Sequence, residues 1–179
     1  SARLSRGDPP PHHQRRSEPP VIFANRPDLG AGKDLLALAL LVGICVGIGG
    51  LGGAVTVSNL TEWYPTLNKP SFNPPNWVFR PVWTTLFVMM GIAGWRVWRV
   101  ADRDTARGPL ALFAMQLAVN LGWSIAFFGL RSPGLAVAVI LVLDLLVLAT
   151  ALNFRRIDGL AAMLMVPYLA WITFATVLN

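Results

Sequence analysis

Five long apolar runs punctuate the chain, separated by short connections rich in charge, proline or glycine. From Leu35 to Val57 there are 23 residues without a charge, enough to cross a hydrocarbon core about 30 Å thick at about 1.5 Å per residue. The later runs predict helices from about Pro81 to Val100, Pro109 to about Phe128, Leu135 to about Phe154, and Leu160 to Leu178. Pro81 suits a first helical turn, where its missing N–H is not needed. ADRDTARG, LRSPG and RRIDG read as the connecting turns. The pattern predicts an all-α, five-helix transmembrane bundle over residues 34–179. Residues 1–33, basic and proline-rich, lack the apolar surface to fold alone and are expected to form a disordered tail. Targeting sequences rarely carry acids such as Asp8, Glu18 and Asp28, and His12 and His13 lack companion metal ligands.

Composition agrees with the pattern. The chain is 54% hydrophobic and 13% charged, against about a quarter charged in ordinary soluble domains. A soluble fold could not cover such a surface, whereas lipid makes covering unnecessary. The formal charge of +6 reads as topology rather than as affinity for nucleic acid. Five spans place the tail and the turns near 96–107 and 155–158 on one side, and that side holds twelve of the fifteen Lys and Arg residues. By the positive-inside rule the N-terminus is expected to be cytoplasmic. The single cysteine, Cys45, lies inside an apolar run and reads as a small core residue. GIGGLG at 47–52 matches a dinucleotide-binding pattern in letters only, since it falls within a span rather than between a strand and a helix. Gly43 with Gly47, and Gly49 with Gly53, read instead as close-approach positions between helices.

The chemistry concentrates between the first two spans. WYPTLNKPSFNPPNWVFRPVWTTLFVMMG, residues 63–91, holds Trp63, Trp77, Trp83, Tyr64 and five prolines. Proline stiffens the backbone, and Trp and Tyr favour sites apolar at one end and wet at the other, so the stretch reads as a rigid aromatic cap at a membrane surface. It resembles the first loop and second helix of the TspO/translocator proteins, also called tryptophan-rich sensory proteins. QLAVNLGWSIAFFG (116–129) and VPYLAWITFATVLN (166–179) resemble that family's third and fifth helices. The resemblance implies a porphyrin or related hydrophobic ligand in a pocket among the helices, a role as sensor, regulator or transporter, no obligatory cofactor, and homodimers. Carried over by motif, the ligand positions are Trp63, Tyr64, Trp83, Phe87, Asn120, Trp123, Trp171, Ala175 and Leu178. Light-dependent porphyrin degradation, with Trp83 as redox partner, is the enzymatic alternative the resemblance leaves open, and a structural membrane partner is another. Sterol-binding relatives continue past the fifth helix into a Leu/Val-x-Tyr-x-Lys/Arg pattern, which does not follow Asn179 here, so the resemblance leaves sterol binding open.

Two stripes on the third helix can be placed by spacing alone. Gln116, Asn120 and Ser124 recur every four residues, as do Ala114, Ala118 and Gly122. An offset of two residues, about 200° at about 3.6 residues per turn, sets the stripes on opposite faces. The polar stripe should face the interior, lining a pocket or bonding neighbouring helices. The small stripe suits close packing and, with the resemblance, a homodimer. Asp144 belongs to none of the motifs. About 14 Å into the fourth helix, its ionised form costs at least roughly 2.5 kcal/mol on the lenient insertion scale. It is therefore expected to face inward as a buried polar tie or as a proton or ligand contact.

Overall fold

A computed structural model describes residues 30–60, 63–67 and 70–179. The tail expected over residues 1–33 falls outside them except for its last four residues, of which 31–33 are already helical. Five helices follow: α1 (Ala31–Leu60), α2 (Asn76–Val100), α3 (Arg103–Ser124), α4 (Pro133–Arg155) and α5 (Gly159–Leu178). All five are long and apolar enough to cross a membrane. No strand occurs among the described residues. In projection the helices close a ring in the order α1, α2, α5, α4, α3, with α3 again beside α1.

Several helix boundaries depart from the apolar runs, and those of α2 and α3 bear on the site. α2 begins at Asn76, so Pro81 lies inside the helix rather than at its start. The extra turn brings Asn76, Trp77 and Arg80 onto the same helix as Trp83. α3 begins within the supposed turn, because the Asp102 carboxylate accepts the Thr105 backbone N–H (2.9 Å) and hydroxyl (2.9 Å) and caps it. Those donors hold the Asp102 carboxyl below its ordinary value. At its other end α3 passes into a π-helical segment, Ile125–Gly129, where Leu130 N–H reaches back to the Ile125 carbonyl at 2.7 Å. The chain then turns at Arg131, whose φ of 50° lies in the left-handed region. α5 is capped by Asp158, whose carboxylate accepts from the Leu160 and Ala161 N–H groups.

The main core is built from Cys45, Met90, Val97, Leu143, Val147, Phe154, Met165, Tyr168 and Ile172. The opposite surface is apolar too: Leu35 of α1, Leu145 of α4 and Met163 of α5 are all exposed, as a lipid-facing bundle requires. Glycines set the tightest approach, although not the pairs read from spacing. A Cβ on Gly91 would lie 2.6 Å from the Val42 Cα, and one on Gly49 would enter the Phe87 ring. Gly43, Gly47 and Gly53 have open space instead. Spacing alone does not say which face of α1 meets α2.

The N-terminal end of α1, the α2–α3 turn and the α4–α5 turn meet at one end of the bundle. Arg96 pairs with Asp158 at 2.8 Å. Arg99 reaches Asp34 at 3.5 Å and lies over the Trp95 ring, whose indole N–H also donates to Asp34. These arginines tie α2 to the start of α1 and to the α4–α5 turn.

Candidate functional site

Towards the opposite end a cavity of about 1140 Å³ opens among α1, α2, α3 and α5, with Gly49 and Phe87 in its lining. α2 supplies Asn76, Arg80, Trp83 and Phe87 at spacings of three and four residues, α5 supplies Trp171, Ala175 and Leu178, and α1 supplies glycine-rich backbone. Trp83 stacks on Phe87 (centroids 5.7 Å, 29° between planes) and meets Trp171 edge-on at 6.5 Å. Phe79 also meets Trp171 edge-on, at 5.9 Å. The Trp171 indole N–H is buried and has no acceptor among the described residues.

The π-helical segment builds the remaining wall. Phe127 and Phe128 are adjacent in sequence yet both are buried and both line the cavity. In a regular helix neighbours point about 100° apart, and the widened turn changes where these two rings fall. Trp123 stacks on Phe127 (5.5 Å, 23°), and its N–H donates to the Asn179 side chain at 3.0 Å, which in turn donates to the Pro133 carbonyl at 2.9 Å. Trp63 and Tyr64, in the described part of the first loop, close this cluster. Trp63 packs on Phe127 and Phe128 at 5.5 and 6.5 Å, and Tyr64 on Phe128 at 5.9 Å. The Tyr64 hydroxyl donates to Asn73 across the loop at 3.0 Å. Partial burial pushes the Tyr64 phenol up and this bond pulls the other way.

Eight of the nine motif-derived positions therefore line one cavity: Tyr64, Trp83, Phe87, Asn120, Trp123, Trp171, Ala175 and Leu178. Trp63 is not in the wall and stands behind it, against the phenylalanines. Arg80, Phe127 and Phe128 line the cavity without being among the motif-derived ligand positions. The phenylalanines lie near the end of the 116–129 stretch of the polar-striped helix, where regular helical spacing would separate them.

The polar stripe of α3 serves both roles left open by spacing. Asn120 donates to the Tyr168 hydroxyl at 3.0 Å, tying α3 to α5, and also touches the cavity. Gln116 is fully buried against the Met90 sulfur, while Ser124 lines the cavity beside Gly52. Ala114 and Ala118 are exposed on the outer face.

Asp144 faces α5 rather than the cavity. Its carboxyl oxygens lie 2.7 Å from the Thr176 hydroxyl and 3.3 Å from the Thr173 hydroxyl, and each hydroxyl, with one proton to donate, shares it between Asp144 and a carbonyl of its own helix. The tie between helices is present, and a ligand contact from the wall is not. Asp144→Asn keeps an acceptor for one threonine, so it should shift the melting temperature while leaving ligand affinity in detergent within about twofold, less than 0.5 kcal/mol. A tenfold loss of affinity would return Asp144 to the site.

Residues 41–179 match the TspO/MBR family. The chain is 42% identical over 154 residues to the tryptophan-rich protein TspO of Chlorobaculum tepidum, covering 82% of this chain and 94% of that protein. It is 46% identical over 118 residues to the tryptophan-rich sensory protein of Cereibacter sphaeroides, covering 66% of this chain and 73% of that protein. It is 42% identical over 120 residues to the human translocator protein, covering 66% of this chain and 71% of that protein. With five membrane-length apolar helices and these matches, the chain is an integral, multi-pass membrane protein belonging to the TspO/MBR family.

Proposed function

We propose that this protein binds a porphyrin or a similar flat, largely apolar ligand in the cavity and acts as a membrane sensor or transporter for it. The observation that carries this reading is the aromatic wall. Trp83, Phe87, Trp123, Phe127 and Trp171 line a space just above the range of ordinary ligand pockets, about 300–1,000 Å³. Flat π faces suit a planar macrocycle, and Asn120 and the unpaired Trp171 N–H supply polar contacts for its edge. The names of relatives, translocator and sensory protein, support a transport or sensing role in general terms. Titration of the detergent-purified protein with protoporphyrin in the dark should quench tryptophan fluorescence saturably. Absence of quenching overturns the reading, and a new pigment formed only under illumination would move it toward porphyrin degradation.

Two further parts of the reading concern the membrane. The excess of basic residues at the end carrying Arg96 and Arg99 supports a cytoplasmic N-terminus, with the cavity end on the other side. The exposed Ala114 and Ala118, in line with Gly122, support a homodimer through the outer face of α3. Ala118→Leu should reduce crosslinked dimer severalfold without changing ligand affinity, and an undiminished dimer would remove α3 from the interface.

A further inference from the structure

Arg80 lies within the WVFRPVW stretch and was not among the motif-derived ligand residues. It is the only Lys, Arg, Asp or Glu side chain among the described residues that line the cavity. The other arginines within or beside the spans that approach neighbouring groups are engaged: Arg96 with Asp158, Arg99 with Asp34, and Arg131 with Asn59 at 3.0 Å. Arg80 has no ion-pair or side-chain hydrogen-bond partner among the described residues. It is exposed at the rim, one turn from Asn76 and one turn from Trp83 and Thr84 on the cavity face of α2. The remainder of the wall is overwhelmingly aromatic, aliphatic or glycine backbone. A ligand seated there meets an apolar interior at one end and a fixed positive charge at the other.

We infer that Arg80 selects ligands bearing a carboxylate, holding the anionic edge at the mouth while the flat body lies among the indoles. This rests on the proposed binding of a planar macrocycle and adds the chemical class of its edge. The guanidinium stays protonated at any physiological pH and offers a planar fork that matches a carboxylate. The same fork fits a lipid phosphate, so the two sources of anion must be separated. A phosphate partner predicts sensitivity to lipid, whereas a ligand carboxylate predicts discrimination between acid and ester without lipid.

The test compares protoporphyrin with its dimethyl ester by tryptophan quenching in a neutral detergent, and repeats both titrations in nanodiscs of zwitterionic and of anionic lipid. In detergent the diacid should bind about tenfold tighter than the ester, the lower end for a charge-assisted contact at an exposed rim. The preference should shrink as salt is raised. Arg80→Gln should weaken the diacid to the level of the ester and leave the ester unchanged, while Arg80→Lys restores part of the difference. Equal binding of acid and ester by the unaltered protein overturns the inference and leaves porphyrin binding standing. So does an Arg80→Gln variant that weakens both ligands alike. An acid preference that disappears only in anionic nanodiscs supports the carboxylate with lipid as competitor. If the acid–ester ratio stays near one in detergent while Arg80→Gln alters affinity only in anionic nanodiscs, Arg80 is a headgroup contact and the inference fails. No quenching by either porphyrin removes the underlying reading and this one with it.

Discussion

Leucine in place of Gly91 should separate α1 from α2 and lower the stability of the bundle by about 3 kcal/mol, the upper end for overpacking. Even a methyl group at this position would lie 2.6 Å from the Val42 Cα and 3.0 Å from its backbone nitrogen. Backbone cannot rotate away as a side chain can, so the added atoms must push one helix off the other. The damage should spread, because the same crossing positions Gly49 against Phe87 at the inner end of the cavity. Thermal unfolding in detergent provides the measurement. Gly47→Leu is the matched control: that glycine is exposed with open space at its Cβ, and its replacement should change stability by less than about 0.5 kcal/mol. Equal melting temperatures for the two variants would mean that the α1–α2 contact contributes little.

Alanine at Trp83 is expected to weaken porphyrin binding by about 2 kcal/mol, roughly thirtyfold, as for a large aromatic anchor in a well-packed site. Trp83 stacks on Phe87 and meets Trp171 and Tyr168 edge-on, so its ring both faces the ligand and holds the neighbouring rings in place. Phenylalanine preserves a flat face and should cost much less, under about 1 kcal/mol. If alanine and phenylalanine bind protoporphyrin as well as tryptophan does, Trp83 supports the wall without contributing to affinity. Under illumination the same pair separates stacking from redox chemistry: loss of a photoproduct in the phenylalanine variant, with binding retained, would assign the indole a chemical role.

Both predictions depend on placements of very different legibility. The five helices could be read from the sequence because burial of a backbone in lipid demands long uncharged runs, and that demand is local to each run. The inward face of α3 was legible for the same reason: Gln116, Asn120 and Ser124 are too polar for lipid and return every four residues. The aromatic residues Trp83, Trp123 and Trp171 of the cavity wall followed from resemblance, which carries the outcome of a fold without its physics.

What the chain by itself determined, then, was the number of spans, the inward polar stripe and the need of Asp144 for a partner within the bundle. Tertiary structure decided which partner answered each need. Asp144 could have met any helix, and the α4–α5 pairing supplied Thr173 and Thr176. Four glycines of α1 had equivalent spacing, and only contact with α2 distinguished Gly49 from Gly43, Gly47 and Gly53. Pro81 suggested a helix start, yet the helix runs from Asn76 and sets Arg80 on the cavity face. Phe127 and Phe128 share the cavity because α3 widens into a π turn. Apolar length and polarity are properties of single segments and survive in sequence, whereas pairing, close approach and the aim of a side chain depend on the angle at which two helices meet.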